Sequence, residues 1–94
     1  MTDAAGDAWH TMLNGAVSYR TVAPGTVLLH VENVTLTGGV IRGVGQLPIA
    51  YRPSSDRSGA VSDGNGSGIV IVRGNGNVEL YAGASGDYSG FVAY

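Results

Sequence analysis

The sequence predicts an all-β domain, a small antiparallel β-sandwich of jelly-roll-like build, and three observations carry that expectation. Glycine and asparagine punctuate the chain at short intervals, with 16 glycines in 94 residues. The segments between them are rich in Val, Ile, Leu, Thr and Tyr, the residues that suit a pleated, half-buried surface. These segments also follow one another at the short spacing of a sandwich or small barrel.

Taken in order, residues 1–8 carry no period and read as a linker or frayed lead-in, which leaves 9–94 as one domain. Candidate strands are 16–22, 26–32, 34–37, 40–44, 46–50, 68–73, 77–82 and 89–94. Val27, Leu29 and Val31 share one face of the second strand, and His30 and Glu32 the other. After Asn33 the apolar set moves to Val34 and Leu36, which predicts a bulge or turn at Asn33. Residues 54–68 form the longest polar stretch and read as a surface loop with one short strand at 60–62. The apolar run at 69–72, Ile-Val-Ile-Val, lacks polar alternation, so both of its faces call for cover from a second sheet or a neighbouring subunit. Asn75-Gly76 separates two β-rich runs and predicts a hairpin with a type I′ turn. Residues 83–89 read as a second exposed loop.

Composition narrows the function. With 44% hydrophobic and 13% charged residues, the chain can build a core and is not disordered. A domain this small buries only about two-thirds of its unfolded surface, so help from a partner subunit fits. Five arginines, no lysine and seven acids give a net charge of −2, without the basic run that nucleic acid demands. No apolar run approaches the roughly 20 residues that span a bilayer, so membrane insertion is not expected. Absence of cysteine removes disulfides and thiolate metal sites.

Tests for chemistry point away from catalysis. His10 and His30 are not spaced to converge on one ion, and none of Ser58, Ser67, Ser85 or Ser89 has the flanking glycines of a nucleophile elbow. Asp63, Asn65 and Ser67 match the first half of a calcium loop, but Gly74 stands where its bidentate glutamate belongs. A weak calcium site at Asp63 is the most that pattern supports, and no cofactor or metal centre is expected. The paired carboxylates of a glycosidase are also missing as a motif. Tyr88 beside Asp87 offers an aromatic platform and a carboxylate acceptor for a glycan, and Asp56 with Arg57 in the long polar stretch has similar standing. Pro48 and Pro53 fix φ and remove donors on both sides of Tyr51, giving Arg52 a set position to fork onto a carboxylate or carbonyls.

Several elements taken in order form a pattern. Leu13-Asn14-Gly15 opens the domain, and the valine-rich strand from Val27 to Val31 follows. Leu47-Pro48 with Tyr51-Arg52-Pro53 precedes the polar stretch, and a hairpin around Asn75-Gly76-Asn77-Val78 leads to the last strand. In this order the chain resembles the C-terminal receptor-binding tip domain of phage tail fibres and minor tail proteins. The resemblance implies a homotrimeric β-sandwich in the virion that binds a bacterial cell-wall glycan or surface polysaccharide, without catalysis. The alternative it leaves open is a trimerisation cap that registers a fibre and touches no receptor.

Overall fold

The computed structural model describes residues 8–94, so the lead-in expected at 1–8 lies, except for Ala8, outside the described residues. Eight strands follow: β1 (His10–Met12), β2 (Val17–Ala23), β3 (Thr26–Leu36), β4 (Arg42–Gln46), β5 (Arg57–Ser62), β6 (Ser67–Val72), β7 (Asn77–Ala82) and β8 (Gly86–Ala93). Short 3-10 turns occupy Leu13–Gly15 and Ile49–Tyr51. The protein is all-β, as the punctuated strand-rich pattern predicts.

All pairings are antiparallel, in the order β1-β2-β3-β8-β5-β6-β7-β4. Three of them nest: β3 with β8, β4 with β7, and β5 with β6. That is the wrap of a hairpin rolled up on itself, and within it β5, β6 and β7 with β8 returning beside β5 form a Greek key. The sheet curls into a nearly closed, barrel-like sandwich. Its two edges, β1 and β4, approach one another: the Met12 thioether lies over Gly45, where an added Cβ would come within 2.9 Å of the sulfur.

Alternation along the strands builds the core. Val17 and Tyr19 of β2, Val27, Leu29, Val31, Val34 and Leu36 of β3, Val61, Val70, Val72, Val78, Leu80, Tyr88 and Val92 all point inward. The two predicted segments at 26–32 and 34–37 are one strand, and the shift between them is a bulge with Asn33 at φ 50°. The hairpin at 73–77 forms with a different turn from the predicted type I′. Gly76 N–H bonds Arg73 O at 2.9 Å and Arg73 N–H bonds Asn77 O at 2.8 Å, a three-residue loop with Gly76 at φ 92°. In this turn only Gly76 takes positive φ, and Asn75 Oδ1 accepts from Asn77 N–H at 3.0 Å.

Other expectations give way to register. The strand predicted at 46–50 is replaced by a turn, because Pro48 cannot extend the ladder after Leu47 N–H has bonded Gly76 O at 2.8 Å. The polar stretch at 54–68 is largely strand, pairing along the whole of β5 with β6. The loop expected at 83–89 shortens to a tight connection, since β8 already begins at Gly86. Cover for both faces of the Ile-Val-Ile-Val run does not come from the described residues: Val70 and Val72 are buried, but Ile69 is 42% exposed.

Candidate functional site

The strands present two ends to solvent, and they differ. One end gathers the 73–76 turn, the β2–β3 turn at Pro24-Gly25, the segment from Leu47 to Asp56, the start of β5 and Tyr94. The other gathers the β5–β6 turn at Asp63–Gly66, the β3–β4 connection and the β7–β8 connection.

The first end holds a cleft of about 370 Å³. Its walls come from Thr21, Thr26 and Val27 of the β2–β3 hairpin, from Ala50, Arg52, Pro53 and Ser54, and from Arg57 and Tyr94. The Leu47-Pro48 and Tyr51-Arg52-Pro53 element fixes the shape of this end. Leu47 and Pro53 are buried, and Tyr51 N–H bonds Pro48 O at 2.9 Å. Arg52 Nε donates to Leu47 O at 2.8 Å and packs on Gly76, where a side chain would collide with the guanidinium. Tyr51 and His10 are joined by a 2.8 Å hydrogen bond between Oη and Nε2, and the two rings cluster with Tyr19 at centroid distances of 5.0–5.4 Å. Tyr94 Oη donates to Tyr51 O at 2.7 Å, and burial pushes its phenol up to about 12.

Of the four residues singled out for ligand contact, one lines this cleft. Arg57 is exposed and sits opposite Val72, an inward-facing position at the mouth of the sandwich. Asp56 is exposed but engaged: Gly74 N–H donates to one oxygen at 2.9 Å and Arg73 Nη1 to the other at 3.0 Å. The Gly74 amide and then the Arg73 bond hold its carboxyl below the usual range. Arg73 in turn donates from Nε and Nη2 to Glu79 Oε1 at 3.1 and 3.0 Å.

Tyr88 and Asp87 are at the other end, and the exposed aromatic platform expected there does not exist. Tyr88 lies at an inward position of β8 with 0% exposure, because β8 starts three residues earlier than the predicted strand and its register turns the ring into the core. Its Oη donates to Ala84 O at 2.8 Å, and burial raises its pKa, helped by the nearby Asp63 carboxylate. Asp87 points outward and accepts from Thr35 Oγ1 at 2.7 Å across the β3–β8 pair. The calcium pattern at Asp63 is a hairpin turn: Gly66 and Asn65 N–H donate to Asp63 Oδ1 at 2.6 and 2.9 Å, so donors surround the carboxylate where a cation needs further oxygens. Those two amides lower its pKa. No group of three or more His, Cys, Asp or Glu gathers among the described residues, and no helix among them is long and apolar enough to cross a membrane.

The outer face of the sheet carries an apolar row that single-strand patterns only hint at. Register sets His30 beside Phe91, and Ala60 beside Ile69, which in turn faces Tyr81. Val61 opposite Gly90 brings Ala60 next to Phe91, so the row runs unbroken across β8, β5, β6 and β7, with His30 of β3 at its end. Phe91 is 63% exposed and Tyr81 38%. Sequence reading found Ile69 but missed the row, since it forms only when strands distant in sequence are paired.

No protein-family model matches the chain, and no curated protein matches it in sequence.

Proposed function

We propose that the chain is a host-surface binding module at the tip of a phage tail fibre or minor tail protein, a homotrimer in the virion that holds a bacterial cell-wall saccharide. The observation that supports it is the cleft at one end of the sandwich. It has a volume within the roughly 300–1,000 Å³ of small-ligand sites and combines two arginines, hydroxyl side chains and a tyrosine with the apolar walls of Val27 and Pro53. Hydroxyls and a cation fix the orientation of a polyhydroxylated ligand, and the apolar walls take the C–H face of a sugar ring. Three copies on one axis turn weak single-site contacts into useful avidity.

A second reading, a trimerisation cap without receptor contact, is favoured by the exposed row of Phe91, Ile69 and Tyr81. Light scattering after size exclusion, paired with adsorption to host cells, tests both. The binding module gives three times 9.6 kDa and cell adsorption that Arg57→Ala reduces while the mass stays unchanged. Loss of trimer in Phe91→Ser with Ile69→Ser, alongside adsorption indifferent to Arg57, establishes the cap. A monomer that binds no cells overturns both.

A further inference from the structure

Arginines elsewhere in the described chain are each engaged. Arg42 Nη1 donates to Thr35 O at 2.6 Å, Arg52 to Leu47 O, and Arg73 to Asp56 and Glu79, while Arg20 lies 5.2 Å over the Trp9 ring with its buried Nε unbonded. Arg57 differs from them. Among the described residues it has no hydrogen bond, ion pair or ring contact, although its sequence neighbour Asp56 is a carboxylate. Asp56 instead accepts from Arg73 Nη1 on one oxygen and from Gly74 N–H on the other.

The position is unusual as well as the lack of a partner. Arg57 pairs with Val72, which is fully buried, so its side chain belongs to the inward row of β5 that continues through Gly59 to Val61. A guanidinium in an inward row is costly unless the row opens to water or meets an anion. Here the row opens into the cleft. The cleft's lining contains Arg52 and Arg57 and no acidic residue, on a chain whose net charge is −2. A cleft lined by one sign of charge concentrates ligands of the opposite sign. Thr26 and Ser54 add hydroxyl-bearing residues to the same lining.

We infer that this cleft takes an anionic sugar, with a carboxylate or phosphate group on the Arg57 guanidinium and ring hydroxyls on Thr26 and Ser54. The inference rests on the saccharide reading above and narrows its ligand class. A planar fork matches both anions and discriminates them from a neutral sugar by a charge-assisted pair.

The test is calorimetric titration of the whole chain with galacturonate oligosaccharide, glycerol phosphate, inorganic phosphate and the neutral galactose oligosaccharide, repeated in Arg57→Ala and Arg57→Lys. The expected result is that galacturonate or glycerol phosphate binds at least about ten-fold more tightly than the neutral sugar. That preference should vanish in Arg57→Ala, stay intermediate in Arg57→Lys and weaken as salt is raised. Galacturonate binding with indifference to glycerol phosphate identifies a uronic acid, and the reverse a polyol phosphate of the teichoic type. Equal affinity for charged and neutral sugars, unchanged in Arg57→Ala, overturns the anionic assignment and leaves saccharide binding standing. Inorganic phosphate bound as tightly as either sugar anion overturns the sugar part and leaves a simple anion site. Absence of binding to every sugar, with no adsorption to host cells, brings down the saccharide reading itself.

Discussion

The two ends of the sandwich are built from similar residues and behave differently. Both carry Ser, Gly and Asp in their connections, and either reads from sequence as a binding loop. At the end closed by Asp63, polar groups are engaged with the chain's own backbone. Asp63 holds two amides, Gly38 N–H donates to Ser85 Oγ at 2.9 Å, Gly39 N–H bonds Ala82 O at 2.8 Å, and Tyr88 closes on Ala84 O. At the end lined by Arg57, Arg52, Asp56 and Tyr94 are likewise bonded to the chain, but Arg57 is not, and a cleft with two arginines in its lining lies there. A polar loop becomes a candidate site when its polar groups are left over from satisfying its own backbone, and composition does not report that.

The largest effect that sharpens this contrast belongs to Tyr88. If it is part of the closed end's core, Tyr88→Ala removes a fully buried ring. Such aromatic deletions cost about 3–5 kcal/mol, which in a domain of this size lowers Tm by more than about 10 °C. Tyr88→Phe removes only the bond to Ala84 O and lowers Tm by a few degrees, roughly the worth of one hydrogen bond. Thermal unfolding followed by circular dichroism reads both. A Tyr88→Ala protein as stable as the parent, with impaired cell adsorption, would return this tyrosine to the surface and erase the difference between the ends.

A smaller effect comes from acid. Asp63 at the closed end and Asp56 at the open one both have carboxyls held below the ordinary range by backbone amides, with Arg73 adding to the effect at Asp56. A folded-state pKa below the unfolded value of about 3.9 means stability that is present above that value and lost as pH falls through the folded pKa. Asp63→Asn and Asp56→Asn should therefore each unfold at lower urea than the parent at pH 7, and the gap should narrow as pH falls below about 3.9 and close once the folded-state carboxyls are protonated. A gap that persists unchanged into acid would mean that the charge of these carboxylates contributes nothing to either end. Tyr94 gives the opposite sign at the open end: its phenol is raised to about 12, so what it contributes is complete below about 10 and is lost as pH rises through 12.

The core was legible where alternation is strict and the elements are local. Val27, Leu29 and Val31, then Val34 and Leu36 across Asn33, announced both a strand and its bulge, and the 73–77 hairpin was visible from its glycines and asparagines. Strand β1 was not, because three residues, His10 to Met12, have no period and are ordered by pairing with β2. Strand β5 hid behind Ser, Arg and Gly, since Val61 is the one buried residue among its six. Tyr88 misled because Asp87 and Tyr88 are adjacent in sequence and lie on opposite faces once β8 is in register. The cleft left no local signal, being assembled from the β2–β3 hairpin, the Ala50–Ser54 segment, β5 and Tyr94. Arg57 was selectable from sequence as a charged residue in a polar stretch. What distinguishes it, an inward position with its neighbouring acid taken by Arg73, depends on two hairpins meeting.

The smallest expected effect on stability is the most informative about the open end. Arg57 makes no bond within the described chain and is exposed, so Arg57→Ala should change stability by no more than about 0.5 kcal/mol. The acid-linked variants should be visibly weaker than this one. Removing the guanidinium should also leave the Asp56–Arg73 pair intact, since that pair closes without it. A loss in urea midpoint as large as that of Asp63→Asn would show that Arg57 supports the fold, and the open end would then be as internally satisfied as the closed one. A stable Arg57→Ala protein keeps the contrast between an unbonded arginine at the mouth of the open end and, at the closed end, an Asp63 carboxylate committed to the chain's own amides.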